Sequence, residues 1–241
     1  MGLNLTDTWV YLAQTPLLWL AATLVLYQVA YFFYQQANFL PLLNPMPVAV
    51  ALLVMLLLAT HTPYQTYFDG AQFVHFLLGP ATVALAIPLY NYSAKLKQWL
   101  IPVLGALLIG STTAIISAVG LGWLLGLSHE TILSLAPKSI TTPIAMGVSE
   151  QIGGLPSLTA VLVIFTGIIG ATIAKEVLDL LHIQDNSIRG FALGLSSHGL
   201  GTARAFQLHD EAGAFSGLAM GLNGLVTAVL TPILIKLMGL Y

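Results

Sequence analysis

Long apolar runs separated by short polar stretches organise the chain. They are predicted at roughly 16–35, 46–60, 71–91, 100–127, 156–181 and 213–239, with two more polar segments at 137–152 and 190–208. Most approach the ~20 residues that a helix needs to cross hydrocarbon. None shows the alternation of a membrane barrel strand, so the expected fold is all-α. The run at 71–91 is interrupted by Gly79-Pro80, and 190–208 is broken around Gly199 and Gly201. The segment at 137–152 is short and polar for a span.

Composition turns these runs into a class. Of 241 residues, 57% are hydrophobic and 7% charged, where a soluble domain carries about a quarter charged. The chain is therefore expected to be a polytopic integral membrane protein. A net charge of −2 without a basic patch excludes nucleic acid as a partner. The absence of cysteine excludes disulfides, thiolate metal sites and cysteine nucleophiles. No His-Glu-x-x-His helix or G-x-S-x-G elbow is present. No enzyme, metal or cofactor is expected.

The cations set the expected topology. If 137–152 enters the membrane and returns, Lys95, Lys97, Lys175, Arg189 and Lys236 all fall on one side. The other side then holds Asp7, Asp69, Glu130, Glu150, Asp210 and Glu211. The positive-inside rule favours this arrangement. It gives about seven crossings, the N-terminus out, the C-terminus in and a re-entrant segment entering from outside, in a bacterial inner membrane.

Three weak matches share one order along the chain. Pro47-Val-Ala-Val-Ala-Leu-Leu-Val resembles Pro156-Ser-Leu-Thr-Ala-Val-Leu-Val, Leu78-Gly-Pro-Ala-Thr82 resembles His198-Gly-Leu-Gly-Thr202, and Leu107-Leu-Ile-Gly110 resembles Leu218-Ala-Met-Gly221. A single transmembrane domain, 1–241, is expected: a peripheral span at 1–40, repeats at 45–127 and 156–239, and a re-entrant linker at 137–155. The repeats would be inverted. Inverted repeats with broken helices at the midplane mark secondary transporters.

Two segments concentrate the chemistry. In Ala136-Pro-Lys-Ser-Ile-Thr-Thr-Pro-Ile-Ala145, Lys138, Thr141 and Thr142 share a helical face, with Ser139 beside them. An ammonium beside a helix N-terminus suits a bound anion; the alternative is a lysine that merely snorkels. In Leu195-Ser-Ser-His-Gly-Leu-Gly-Thr-Ala-Arg-Ala205, an intramembrane Arg204 needs a cavity or a partner. It either forks onto a carboxylate or ties to Asp210 or Glu211. Ser197, His198 and Thr202 add polar groups, and Gly199 and Gly201 free backbone for the same site. Pro80 and Thr82 flank the matching break, and Asn223 either faces the site or bonds a neighbouring helix. His198 and Glu150 are the candidate proton carriers, Glu150 if the re-entrant segment desolvates it.

These residues carry a resemblance. Pro137-Lys-Ser-Ile-Thr-Thr-Pro-Ile-Ala145, Ser149-Glu-Gln-Ile-Gly-Gly154 and Ser197-His-Gly-Leu-Gly-Thr-Ala-Arg-Ala205 closely resemble the LrgB/CidB family, as does Leu78-Gly-Pro-Ala-Thr-Val-Ala-Leu-Ala-Ile-Pro-Leu-Tyr90. The likeness covers roughly residues 40–240. Gly147 departs from it, where a larger and often acidic residue would be usual. The resemblance implies two functions. One is carriage of small monocarboxylates such as glycolate, glycerate or pyruvate, coupled to an ion or proton. The other is holin- or antiholin-like modulation of murein hydrolase export and lysis. It also implies a small LrgA/CidA-type membrane partner, and homo-oligomers are compatible with either function.

Overall fold

The computed structural model describes residues 16–37, 39–40, 43–77, 80, 83–84 and 86–240. Every regular element among them is helical. Four helices are long and apolar enough to cross a membrane: Leu17–Gln36, Leu100–Leu124, Pro156–Leu180 and Asp210–Leu237. The chain is an all-α, polytopic integral membrane protein. It divides into two compact units, Met1–Val83 and Ala84–Tyr241.

The first unit contains α1 (Pro16–Gln36), α2 (Pro45–Ala59) and α3 (Tyr64–Phe76). Asn44 caps α2 by accepting from the Met46 N–H at 3.1 Å, and prolines occupy its first turn, where no helical N–H bond is lost. Both α2 and α3 pack on α1. Trp19 of α1 is 1% exposed and meets Tyr67 edge to face at 6.1 Å. Pro80 is exposed, while Gly79 and Thr82 lie outside the described residues.

The second unit starts with two short helices, α4 (Ala86–Asn91) and α5 (Ser93–Gln98). Then follow α6 (Leu100–Leu124), α7 (His129–Leu135), α8 (Thr142–Gln151), α9 (Pro156–Leu180), α10 (Asn186–Leu208) and α11 (Asp210–Leu237). Three of these are full-length apolar rods.

The pair α7–α8 is a hairpin. Ten residues in α8 reach only about 15 Å, half of a hydrocarbon core. His129 at the start of α7 and Gln151 at the end of α8 line one depression together with Leu240. Ser134 of α7 accepts from the Leu155 N–H at 2.8 Å, and Thr159 Oγ1 lies 2.7 Å from Ser149 Oγ. Both arms are therefore sewn to the first turn of α9, and residues 136–141 form the tip.

Helix α10 folds back as well. Its backbone breaks at His198 (φ 42°, ψ −131°). Asp185, just before it, and Glu211, just after it, both pair with Lys95, at 3.1 and 2.9 Å. A straight helix would hold residues 185 and 211 roughly 39 Å apart. Leu193 of the first arm and Ala205 of the return arm share one buried cluster with Ala212. The break expected at Gly199 and Gly201 thus falls one residue earlier, on a side chain instead of a glycine.

This reversal overturns part of the expected topology. Lys95 and Glu211 are in contact, so Asp210 and Glu211 share an end with Lys95. Helix α11 then carries Lys236 to the far end, where Ile235 packs with Ile132, Leu133 and Ile152. The five cations do not fall on one side. One expected inversion fails too. Helices α6 and α11 run parallel, with Leu107 beside Ala219, Ser111 bonded to Asn223, and Ile115 near Ile235. Helix α9 runs the opposite way: Thr159 sits at the Leu240 end, and Asp179 meets Arg189 at the Lys95 end.

Candidate functional site

The two hairpins enter unit 2 from opposite ends, and their tips meet at the middle of two long helices. Asn223, at the midpoint of α11 and 1% exposed, donates from Nδ2 to the Leu195 carbonyl at 2.8 Å and to the Ser139 carbonyl at 3.4 Å. Leu195 belongs to the α10 tip and Ser139 to the α7–α8 tip. Asn223 Oδ1 accepts from Ser111 Oγ at 2.7 Å and from Thr227 Oγ1 at 2.9 Å. An asparagine amide has two N–H donors and two lone pairs. All four are taken, so Asn223 is the tie between the tips and has nothing left for a ligand. Of the two roles open to it in the sequence, the structure displays the bond to neighbouring helices.

Val163 makes the corresponding junction on α9. Its side chain packs with Ile140 and Ala145 of the first hairpin, and its carbonyl lies 3.0 Å from His198 Nε2 of the second. His198 is 6% exposed. A carbonyl only accepts, so Nε2 carries the hydrogen. Positive φ on a non-glycine residue costs on the order of 1–3 kcal/mol and persists only where surrounding contacts hold it. Here the Val163 bond and the next turn do so. Thr202 Oγ1 donates to the His198 carbonyl at 2.9 Å and lies 3.0 Å from Ser216 Oγ of α11.

Close backbone contacts let the arms assemble. A Cβ on Gly194 would overlap the Ser216 carbonyl of α11. One on Gly201 would overlap the Leu193 carbonyl of the other arm.

The remaining expected residues distribute unevenly. Lys138, half-buried, lies in the first tip with Ser139, while Thr141 and Thr142 open α8. Ser197 is fully buried at the second tip, 3.1 Å from Ser196 Oγ, and Gly199 is exposed beside it. Arg204 stands six residues past the break on the return arm, displaced toward the Lys95 end, and bonds Gln207 at 3.2 Å. Glu150 is exposed in the last turn of α8. It is at the base of the hairpin, away from the tip that holds His198. Pro80 belongs to the first unit.

Sequence reasoning missed several partners. Ser111 and Thr227 complete the Asn223 tie; the Ser111-Thr112-Thr113 run within apolar α6, and a threonine one turn from Asn223, were the available signals. It also missed the anchor of the second hairpin. Lys95 bridges Asp185 and Glu211 and lies 4.6 Å from the Trp99 ring. Burial disfavours its charge, but hydrogen bonds to Glu211 and Asp185 outweigh this and raise its pKa. Burial likewise opposes ionisation of Asp185, yet the Ile188 N–H and the Lys95 ammonium hold its carboxyl below the usual range.

Comparison with known proteins agrees along nearly the whole chain. The profile of the LrgB-like family matches residues 23–237. An uncharacterised protein of Bacillus subtilis, YwbG, is 42% identical, covering 81% of this chain and 87% of its own. Holin-like protein CidB of Staphylococcus epidermidis is 34% identical over 89% of this chain and 93% of its own. Antiholin-like protein LrgB of Bacillus cereus is 30% identical over 94% and 98% respectively. No solved structure matches.

Proposed function

This chain belongs to the LrgB-like family, and on that footing we propose that it is a secondary carrier of small monocarboxylates, glycolate-, glycerate- or pyruvate-like, whose transport is coupled to an ion or proton. The observation that carries the reading is the Asn223 tie, which joins the tips of two opposed hairpins at the middle of α11. Hairpins too short to span, entering from opposite faces and meeting at mid-depth, are the architecture of alternating access around a fixed site. In this reading both hairpins are re-entrant. The unit formed by the α7–α8 hairpin and α9 is then inverted relative to that formed by α10 and α11.

Lys138 and Arg204 are the cations offered to the carboxylate, with Ser139, Thr141, Thr142, Ser197, His198 and Thr202 lining the tips. The test is uptake of labelled pyruvate, glycolate, glycerate and lactate into proteoliposomes, with and without a pH gradient. A carrier saturates and discriminates among these acids; equal passage of acids and sugars would refute it. Arg204→Lys is expected to lose most uptake, because a lysine cannot reproduce a guanidinium fork. Wild-type uptake by that variant would remove the fork from the mechanism.

The names of the relatives favour a second reading, a holin- or antiholin-like protein. In it the chain modulates murein hydrolase export and lysis, beside a small LrgA/CidA-type partner or as a homo-oligomer. Unselective passage in the same vesicles is the result that would support it.

For orientation, the Lys95 end holds Lys95, Lys97, Lys175 and Arg189, and the Leu240 end holds Lys236. The positive-inside rule then places the Lys95 end in the cytoplasm of a bacterial inner membrane and the C-terminus outside. Single cysteines at 95 and 236 in this cysteine-free chain are expected to label from opposite sides. Labelling of both from one side would reject the re-entrant reading of α10.

A further inference from the structure

His198 is held in one orientation and one tautomer, which leaves its other nitrogen to act. Nε2 donates to the Val163 carbonyl at 3.0 Å. Nδ1 has no bonded partner, yet among the described residues no buried side-chain nitrogen or oxygen is left without one. Nδ1 therefore reaches accessible space although the residue as a whole is 6% exposed. The ring cannot turn to exchange its nitrogens without losing the Val163 bond. The break at φ 42° fixes where the side chain leaves the backbone. The exposed atom stands at the second hairpin tip, the level at which Asn223 joins both hairpins.

We propose that His198 Nδ1 is the specificity-determining atom of the tip site and reads the substituent at C2 of a small carboxylic acid. This rests on the carrier reading above. In the neutral ring Nδ1 presents a lone pair and accepts from a hydroxyl. In the charged ring it presents an N–H and donates to a keto oxygen, while the Nε2–H···O=C bond to Val163 persists in both states. Neutral His198 thus prefers 2-hydroxy acids, and protonated His198 also admits 2-oxo acids. No covalent step is involved; the ring gains or loses one proton from water.

Few other groups could impose this dependence. Between its first residue and Lys175, α9 carries no ionisable side chain, and α11 carries none between Glu211 and Lys236. On α10 the other charged residues are Arg189 and Arg204, His209 follows its last turn, and the first hairpin contributes Lys138 at its tip and His129, Glu130 and Glu150 at its base.

The test uses the full chain in proteoliposomes without a pH gradient. Pyruvate and lactate, both predominantly ionised, compete for the uptake of labelled lactate at about pH 5 and about pH 8. Measuring a ratio in the same vesicles cancels any effect of pH on turnover. The pyruvate-to-lactate affinity ratio is expected to rise about fivefold at the acid pH, the worth of one hydrogen bond. His198→Gln, which can still donate to Val163 but cannot titrate, is expected to stay at the alkaline ratio at both values. His129→Gln, a second imidazole removed at the base of the first hairpin, is expected to keep the shift.

A wild-type ratio that does not move, a shift that survives His198→Gln, or a shift lost in His129→Gln overturns the inference while leaving saturable transport intact. Absence of saturable uptake of either acid overturns the carrier reading and this inference with it. If the glutamine variant does not fold, ¹⁵N spectra of histidine-labelled wild type decide: a buried neutral ring of the Nε2–H form whose Nδ1 titrates is expected, and an Nδ1–H form overturns the assignment.

Discussion

Asn223→Ala is expected to reduce carboxylate uptake at least tenfold and to lower the thermal midpoint of the purified protein. The substitution removes four hydrogen bonds at once. Two of them end on carbonyls of different hairpins, Leu195 at 2.8 Å and Ser139 at 3.4 Å. Two begin on hydroxyls, Ser111 at 2.7 Å and Thr227 at 2.9 Å. Each buried polar group left unpaired costs on the order of 1–3 kcal/mol, and in lipid no water enters to replace the amide. The hydroxyls recover most easily, because Ser111 already bonds the Leu107 carbonyl one turn back at 2.7 Å. The hairpin carbonyls have no such retreat. Asn223→Asp separates packing from bonding: it keeps the volume but loses both donors and points oxygen at two carbonyls. It is expected to fail as badly as alanine. Wild-type uptake and thermal midpoint in both variants would mean that the tips are held together by something else.

The helices themselves were legible in the sequence. The run expected at 156–181 is Pro156–Leu180, and 213–239 is Asp210–Leu237, because burial in hydrocarbon selects apolar residues whatever the neighbours are. That 137–152 holds no full-length span was also legible: its helix, Thr142–Gln151, has ten residues where a crossing needs about 20. The reversal of α10 was not. At 23 residues it is long enough to span, and hydropathy adds up residues without recording direction. The contact that reveals the turn, Lys95 with Glu211, joins positions 116 apart in the chain. The same gap explains Asn223. Its type and depth could be read, but whether its amide is free or saturated depends on carbonyls of two hairpins that no local pattern identifies. The position of Glu150 was hidden for a related reason: its sequence neighbours are those of the tip, but it stands at the base of the hairpin.

Gly199 and Gly201 look equivalent in the sequence, and the structure separates them. Gly201→Ala is expected to destabilise the protein severely and abolish uptake, whereas Gly199→Ala is expected to be close to wild type. A Cβ at Gly201 would overlap the Leu193 carbonyl and sit 2.8 Å from Ser197 Cβ, so the return arm would have to lift off the first. Overpacking of rigid groups commonly costs about 1–3 kcal/mol and sometimes more. Here the obstacle is backbone, which has no rotamer to change. Lifting the arm also strains Thr202, whose hydroxyl holds the His198 carbonyl at 2.9 Å. A Cβ at Gly199 meets only Met220 Sδ at 3.9 Å, an ordinary contact with a flexible side chain. The positive φ at the break belongs to His198, and Gly199 is not among the glycines with positive φ. Alanine there needs no unusual backbone. Thermal midpoints and uptake of the two single variants give the comparison. Equal behaviour of the pair, in either direction, would show that the arms of α10 do not approach as closely as the hairpin requires.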